Sequence, residues 1–537
     1  MKKYIVICLI GAVGLSCDQD VLDIPQKGVL ELENFYQNAT DDDAESLIAA
    51  VHKNFYMDAM GVTNLMALNL MGDDTYCGGN SFADQATGYR LFSYYNFTFS
   101  QASIQSLYTA FFKINYWCNL IVEKLQADTP VKKRVVAEAK FYRGLCYLYL
   151  IRLWGTPPLV PDSETGTTPP NGNPLELWDW VEQNFSEAAT DLPSKPAKGA
   201  QRTIGGRPAK EAALAYLGKT LVIRKKYAEA ALALKAVIDS DKYALLEDMS
   251  VLYHHEADFC DEYVMEFNLE NDASTGVNQS DSRHIWMNWR YTNLATPLGC
   301  FSAGWGFGQS PTREFIEFAQ QHELLDDKSY SSRYHDFFKS YDDILAMEYP
   351  EGITPGIIAS VGFIVDNVGY FGTRWMLRSS DVIAGTGVAT AMSVRSHANQ
   401  PYMRYAEVLL LYAEAEAGMN RNDGEGLAAL NNVRTRAGLP PLSSMKLQDI
   451  KDERRIEFWG DGERFFDLVR WGDALTVLAD VNKYRYQLNG KNPDGSYHVS
   501  SDGKTYGYGF TAGKNEVWPF PETELIANPD LIQNPGW

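Results

Sequence analysis

The stretch Asp452–Gly472, DERRIEFWGDGERFFDLVRWG, limits what this chain can fold into more than any other. It mixes four arginines and six acidic residues with three phenylalanines, two tryptophans and three aliphatic side chains. So much apolar surface belongs in a core, and charges enter a core only when paired. Two assignments meet that constraint. One is a structural ion-pair network that locks two helices to a core; the other is a cluster of carboxylates and arginines that does chemistry. Gly460-Asp461-Gly462 marks the break between two helical segments. Glu453, Arg454, Arg455, Glu457, Glu463, Arg464, Asp467 and Arg470 are the ion-pair candidates.

The remaining periodicity predicts a mainly α fold. Helices are expected over 43–60, behind an acidic start that suits the helix dipole, and over 103–126, where Leu107, Phe111, Ile114 and Trp117 share a face. Residues 131–154 are apolar on most sides, as a deeply buried helix requires, and Gly155 with Pro157-Pro158 stops them. A helix over 175–189 follows. Residues 208–224 and 227–240 form a helix pair with Ala212, Ala213, Ala215 and Gly218 at the seam, and a similar pair recurs at 404–419 and 426–436. These are tetratricopeptide-like pairs with large insertions rather than a regular array. Residues 250–400 read mainly as loops and short strands, with an alternating strand at 261–269. Two Asp-Gly turns over 489–510 predict hairpins, and the proline-rich 517–537 predicts an extended tail. The expected division is a leader at 1–16, an N-terminal helical region at 17–250, and a C-terminal region at 251–537 that is loop-rich up to 400.

The N-terminus carries an address. Lys2-Lys3 precede a short apolar run from Tyr4 to Leu15, too short to span a bilayer but right for a signal peptide. Ser16-Cys17 follows in a lipobox-like ending, so cleavage before Cys17 and lipidation of its thiol are expected. Several acyl chains at roughly 0.8 kcal/mol per buried methylene anchor a protein firmly. Beyond Cys8 and Cys17 five cysteines remain, an odd number without a CxxC pair, which predicts neither a zinc ribbon nor a disulfide scaffold. Cys118 and Cys146 fall in helical patterns as core residues.

A net charge of −21 argues against nucleic acid as a partner and mildly against polyanionic ligands. No catalytic or metal motif stands out. His254-His255-Glu256 is not HExxH, and there is neither a phosphate-binding glycine loop nor a GxSxG elbow. No catalytic residue, metal ligand or cofactor is expected. Aromatic residues make up 13% of the chain, a surplus that suits a ligand with flat apolar faces and a hydroxyl rim, such as a sugar. Two regions combine rings with directed polar groups. The first offers Asp73, Asp74, Tyr76, Asn80, Tyr89 and Arg90; the second offers Trp286, Trp289, Arg290, Tyr291, Asn293 and Trp305. For each ring, plain core packing is the competing assignment. Arg90, Arg283 and Arg290 are candidates for a local basic patch.

Taken in order, several segments resemble the SusD/RagB family of outer-membrane nutrient-binding lipoproteins of Bacteroidetes. They are AEAKFYRGLCYLYLIRLWGTPPLV at 137–160, GRPAKEAALAYLGKTLV at 206–222, DEYVMEFN at 261–268, GWGFGQSPTREFIEFA at 304–319, RYAEVLLLYAEA at 404–415, LNNVRTRAGLP at 430–440, the stretch at 452–472, and WPFPETELIANPDLIQNPGW at 518–537. Asp18 and Asp20 are similar to that phylum's surface-export signal. The resemblance implies a tetratricopeptide-like helical fold and an outer-membrane protein facing the cell exterior. It also implies a non-catalytic lid on a TonB-dependent, SusC-like barrel that captures glycans, or peptides in the RagB branch. Binding residues of the family lie in divergent loops, so none transfers by motif. A surface glycan hydrolase and a helical adaptor that binds only its barrel are the readings from other classes. With the family match, the stretch 452–472 reads as structural.

Overall fold

Helix-forming periodicity becomes a helical scaffold in the computed structural model. The structure describes residues 32–77, 87–166, 168–200, 206–269, 271–272, 277–278, 283–287, 291–295, 300–304, 310–346, 370–375, 377–381, 396–480, 487–491, 497–500 and 509–537. The leader and Cys17 lie outside them. Helix α1, Asp41–Asn54, begins at Thr40, whose hydroxyl accepts from the Asp43 amide at 3.2 Å while the Asp43 carboxylate accepts from the Thr40 amide at 2.9 Å. This reciprocal pair satisfies two donors that every helix start leaves open. The predicted continuation to residue 60 is a π-helical turn over Phe55–Ala59, which keeps Phe55, Tyr56 and Ala59 buried. Helix α2, Ala102–Lys124, buries the predicted Leu107, Phe111 and Ile114.

Helix α3, Pro130–Trp154, starts with Thr129 as cap and Pro130 in the first turn, and ends at Gly155 with φ of 70°. It is buried along nearly its whole length, including Cys146. Helix α4, Pro174–Asp191, approaches it closely because Gly144 faces the Phe185 ring. Helices α5, Lys210–Ile223, and α6, Tyr227–Asp239, form the first predicted pair. Gly218 sits against Leu234, so a Cβ at Gly218 would lie 2.5 Å from Leu234 Cγ. Helices α7, Tyr405–Gly418, and α8, Glu425–Arg436, form the second pair, and α7 packs on α6. Gly418 is the close-approach point there, lying against the Tyr227 ring. The result is the mainly α, tetratricopeptide-like fold that the periodicity predicts.

The strand predicted at 261–269 is β1, Tyr263–Phe267. It pairs antiparallel with β2, Gln400–Arg404, from Tyr263 opposite Arg404 to Phe267 opposite Gln400. Between them the described residues hold short strands, as predicted, but also a helix at Arg313–His322 that the loop-rich reading of 250–400 passes over. Thr312 caps it, and Phe315, Ile316 and Ala319 make its buried face. Among the described residues of that region, Gln487–Lys491 pairs antiparallel with Tyr497–Ser500. The Asp494-Gly495 and Asp502-Gly503 turns lie outside the described residues. The C-terminal tail is fixed to α3: Trp154 Nε1 donates to the Pro519 carbonyl at 2.9 Å, and Asn534 Nδ2 donates to the Trp154 carbonyl at 2.9 Å. Among the described residues no helix is long and apolar enough to cross a membrane.

Candidate functional site

The charged stretch becomes helix α9, Leu447–Glu457, a bend over 458–463, and helix α10, Arg464–Trp471. Its charges are paired into the core. Arg333, with no exposed surface, donates to Glu453 at 2.5 Å, Glu457 at 3.0 Å and Glu323 at 2.6 Å. Arg404 bridges Glu262 at 2.8 Å and Glu457 at 2.7 Å; Arg436 bridges the same two at 2.9 and 2.6 Å. Burial raises the Glu457 carboxyl, but the guanidiniums of Arg436, Arg404 and Arg333 more than reverse it and hold it well below the usual carboxylate range. Arg454 pairs with Asp467 at 2.9 Å, Arg470 with Glu414, and Arg152 with Glu463 at 2.6 Å. These pairs draw β1, β2, α3, α7, α8, α9 and α10 together, which is the structural assignment of the two.

From the bend the network reaches outward. Asp461 accepts from Tyr253 Oη at 2.6 Å and from Arg374 and Arg404 at 3.2 Å each. The Arg374 guanidinium lies 4.1 Å from the Tyr253 ring and 4.8 Å from the Phe337 ring, and its neighbour Trp375 meets Tyr253 at 4.2 Å. Tyr253 holds φ of 70°, left-handed backbone that an aromatic residue adopts only when its surroundings enforce it. Arg283 then lies 5.3 Å over the Trp375 ring. A small, partly open cavity of about 30 Å³ lies beside Arg283, Trp375, Tyr402 and Asp461, room for only a water or two.

Arg283 opens the short helix Arg283–Met287, which carries Trp286. Trp286 is half-buried and meets Tyr89, on the helix Thr87–Ser93, edge to face at 6.1 Å and 65°. The structure therefore brings one residue from each predicted region into contact. Tyr291 and Asn293 lie on the strand Tyr291–Ala295, which pairs with Cys300–Gly304. Asn80, Trp289, Arg290 and Trp305 lie outside the described residues.

Other predicted ligand contacts take a different place. Asp73 and Asp74 are only 4% and 3% exposed. Asp73 accepts from Arg455 Nη2 and Arg464 Nε, each at 2.6 Å. Burial raises its carboxyl, and those two cations bring it below the usual range. Asp74 is pushed up to about 7, by burial first and by the Asp73 charge second. The backbone carbonyls of both residues accept from Thr312, at 2.8 and 3.0 Å. These two acids thus fasten their loop to α10 and Thr312 instead of presenting carboxylates to a ligand. Tyr76 is buried in a two-residue strand opposite Ser310, and Arg90 is buried. With Arg90 and Arg283 both buried, the suggested basic patch does not form from them. Sequence reasoning missed Tyr253, Arg374 and Trp375, which carry no local signature because their partners are far away in the chain.

Histidines pair with acids: His254 Nδ1 lies 2.8 Å from Asp381 and His255 Nδ1 lies 2.7 Å from Asp258. Among the described residues no group of three or more His, Cys, Asp or Glu is placed to hold a metal ion.

Residues 346–537 match the model of the SusD family, and residues 30–221 match a family described as starch-binding and associating with the outer membrane. The chain belongs to the SusD/RagB family. A SusD-like protein of Bacteroides ovatus is 22% identical, with 99% of this chain and 98% of that protein aligned. The starch-binding protein SusD of Bacteroides thetaiotaomicron is 23% identical over 78% of this chain and 76% of its own. Among solved structures, a laminarin-binding SusD-like protein superposes with a TM-score of 0.73 at 25% identity, covering 94% of this chain and 100% of that one. Both SusD-family matches leave out the segment that bears Trp286.

Proposed function

We propose that this SusD/RagB protein binds neutral glycans at the cell surface without acting on them. The observation that carries the reading is the Tyr89–Trp286 contact: two half-buried amphipathic rings from distant segments, with Trp286 on a short helix tied through Arg283 and Trp375 to the buried ion-pair framework. Such rings offer a face to sugar C–H groups and a polar edge to hydroxyls. The starch-binding and laminarin-binding relatives support this ligand class. Cys17 anchors the protein in the outer membrane, facing outward, and the captured glycan passes to a TonB-dependent, SusC-like barrel. Weak binding serves that task. A millimolar dissociation constant is about −4 kcal/mol, and holding the ligand over a pore replaces affinity with local concentration.

The test is calorimetric titration of the mature protein with maltohexaose, laminarihexaose and a peptide library, with reducing ends assayed in parallel. Saccharide binding without new reducing ends is the expected result. A peptide-only response, or release of reducing ends, would overturn it.

A further inference from the structure

A cleft of about 610 Å³ opens between the 243–247 segment after α6, the start of α7 and the last turns of α8. It is shallow and wide open to solvent, a groove rather than an enclosed pocket. None of the residues proposed above as ligand contacts lines it. At its base Tyr243 and Tyr405 stack on each other, ring centres 5.9 Å apart and planes 22° apart, with Leu409 beside them. Around its mouth stand exposed Glu247, Asn432 and Thr435. Arg436 forms part of the wall. Its two terminal nitrogens are committed to Glu262 and Glu457, whereas its buried Nε–H has no hydrogen-bond partner.

We propose that this cleft is a second saccharide site, distinct from Tyr89–Trp286; the choice of ligand class rests on the saccharide reading above. The apolar base, an amide, a hydroxyl and an acceptor-only carboxylate together match a ligand that both donates and accepts through many hydroxyls. Glu247 at the mouth, with Asp248 and Asp241 close in sequence, disfavours anionic chains and selects neutral ones. Two sites on one protein hold a long glycan by avidity, because the second contact is intramolecular once the first is made.

The experiment uses maltohexaose and laminarihexaose as probes, with calorimetry and hydrogen exchange on wild type, Trp286→Ala, Thr435→Trp and Asn432→Trp. Both cleft substitutions fill the mouth from exposed positions, so two variants guard against loss of one fold. The expected result is saccharide protection at 432–436 that survives Trp286→Ala. Adding Thr435→Trp or Asn432→Trp to that variant should then weaken the remaining binding roughly ten-fold or more. If Trp286→Ala abolishes all saccharide binding and the cleft variants change nothing, the cleft is overturned while the first site stands. Peptide protection at 432–436 without any saccharide effect also overturns it. A wild-type protein that binds neither probe sinks both sites.

Discussion

Arg333→Met tests how much the buried network holds. Arg333 is fully enclosed and is the shared cation of Glu323, Glu453 and Glu457, at 2.6, 2.5 and 3.0 Å. Methionine fills similar space but leaves Glu323 without a guanidinium, and removes one of the two arginines that reach Glu453. Breaking a buried pair from one side costs roughly 3–5 kcal/mol, because an uncompensated charge stays behind. At roughly 2 °C per kcal/mol for a large domain, the melting temperature should fall by about 6–10 °C. Arg313→Met is the control. Its pair with Glu317 spans 2.9 Å, but both side chains are 53% exposed. An exposed pair contributes roughly 0–1 kcal/mol, so this variant should melt within about 2 °C of wild type. Differential scanning calorimetry at pH 7 reads both. Equal shifts in the two variants, or no shift in Arg333→Met, would refute the claim that pairing in this network stabilises the fold.

Three further outcomes follow from the same geometry. Glu323 is raised by burial but lowered overall, to about 2, chiefly by Arg333, against an ordinary value of 4.5. Its contribution is therefore present above about 4.5 and lost as pH falls toward 2, so wild-type melting temperature should drop across that window, and drop less in Arg333→Met. Asp74 shows the opposite sign: its carboxyl sits at about 7 in the fold against 3.8 ordinarily, so its ionisation opposes folding as pH rises through that range. Asp74→Asn should melt higher than wild type at pH 8 and close to it at pH 4; a lower melting point at pH 8 would contradict the assignment. Trp375→Leu removes the ring between Arg283 and Tyr253, so hydrogen exchange over Arg283–Met287 should speed up while α3 keeps its protection. Unchanged exchange in the short helix would mean that Trp375 does not hold it.

How much of this was legible beforehand depends on the reach of each interaction. The helix pairs could be read because small residues such as Gly218 repeat at helical spacing, and the surface they free is local. That the charges of 452–472 are paired could be read from their density, since a core tolerates charges only in pairs, whereas the choice of a structural over a catalytic role came from the family resemblance. Asp73 could not. Its arginines are 382 and 391 residues away, so an acid in a glycine-rich loop looked like a ligand contact. The helix at Arg313–His322 went unread because ten residues beside glycine-rich sequence hold only a narrow buried face of Phe315, Ile316 and Ala319. Tyr89 and Trp286 were each proposed on composition; that they touch is a property of the fold.

The central claim is that Trp286 serves ligand binding while the buried network serves stability. The direct measurement is calorimetric titration of wild type and Trp286→Ala with maltohexaose and laminarihexaose, alongside their melting temperatures. Trp286→Ala should weaken saccharide binding by roughly five-fold or more, about 1 kcal/mol or more, with a melting temperature close to that of wild type. A variant that melts far lower but, where folded, binds as tightly as wild type would contradict it.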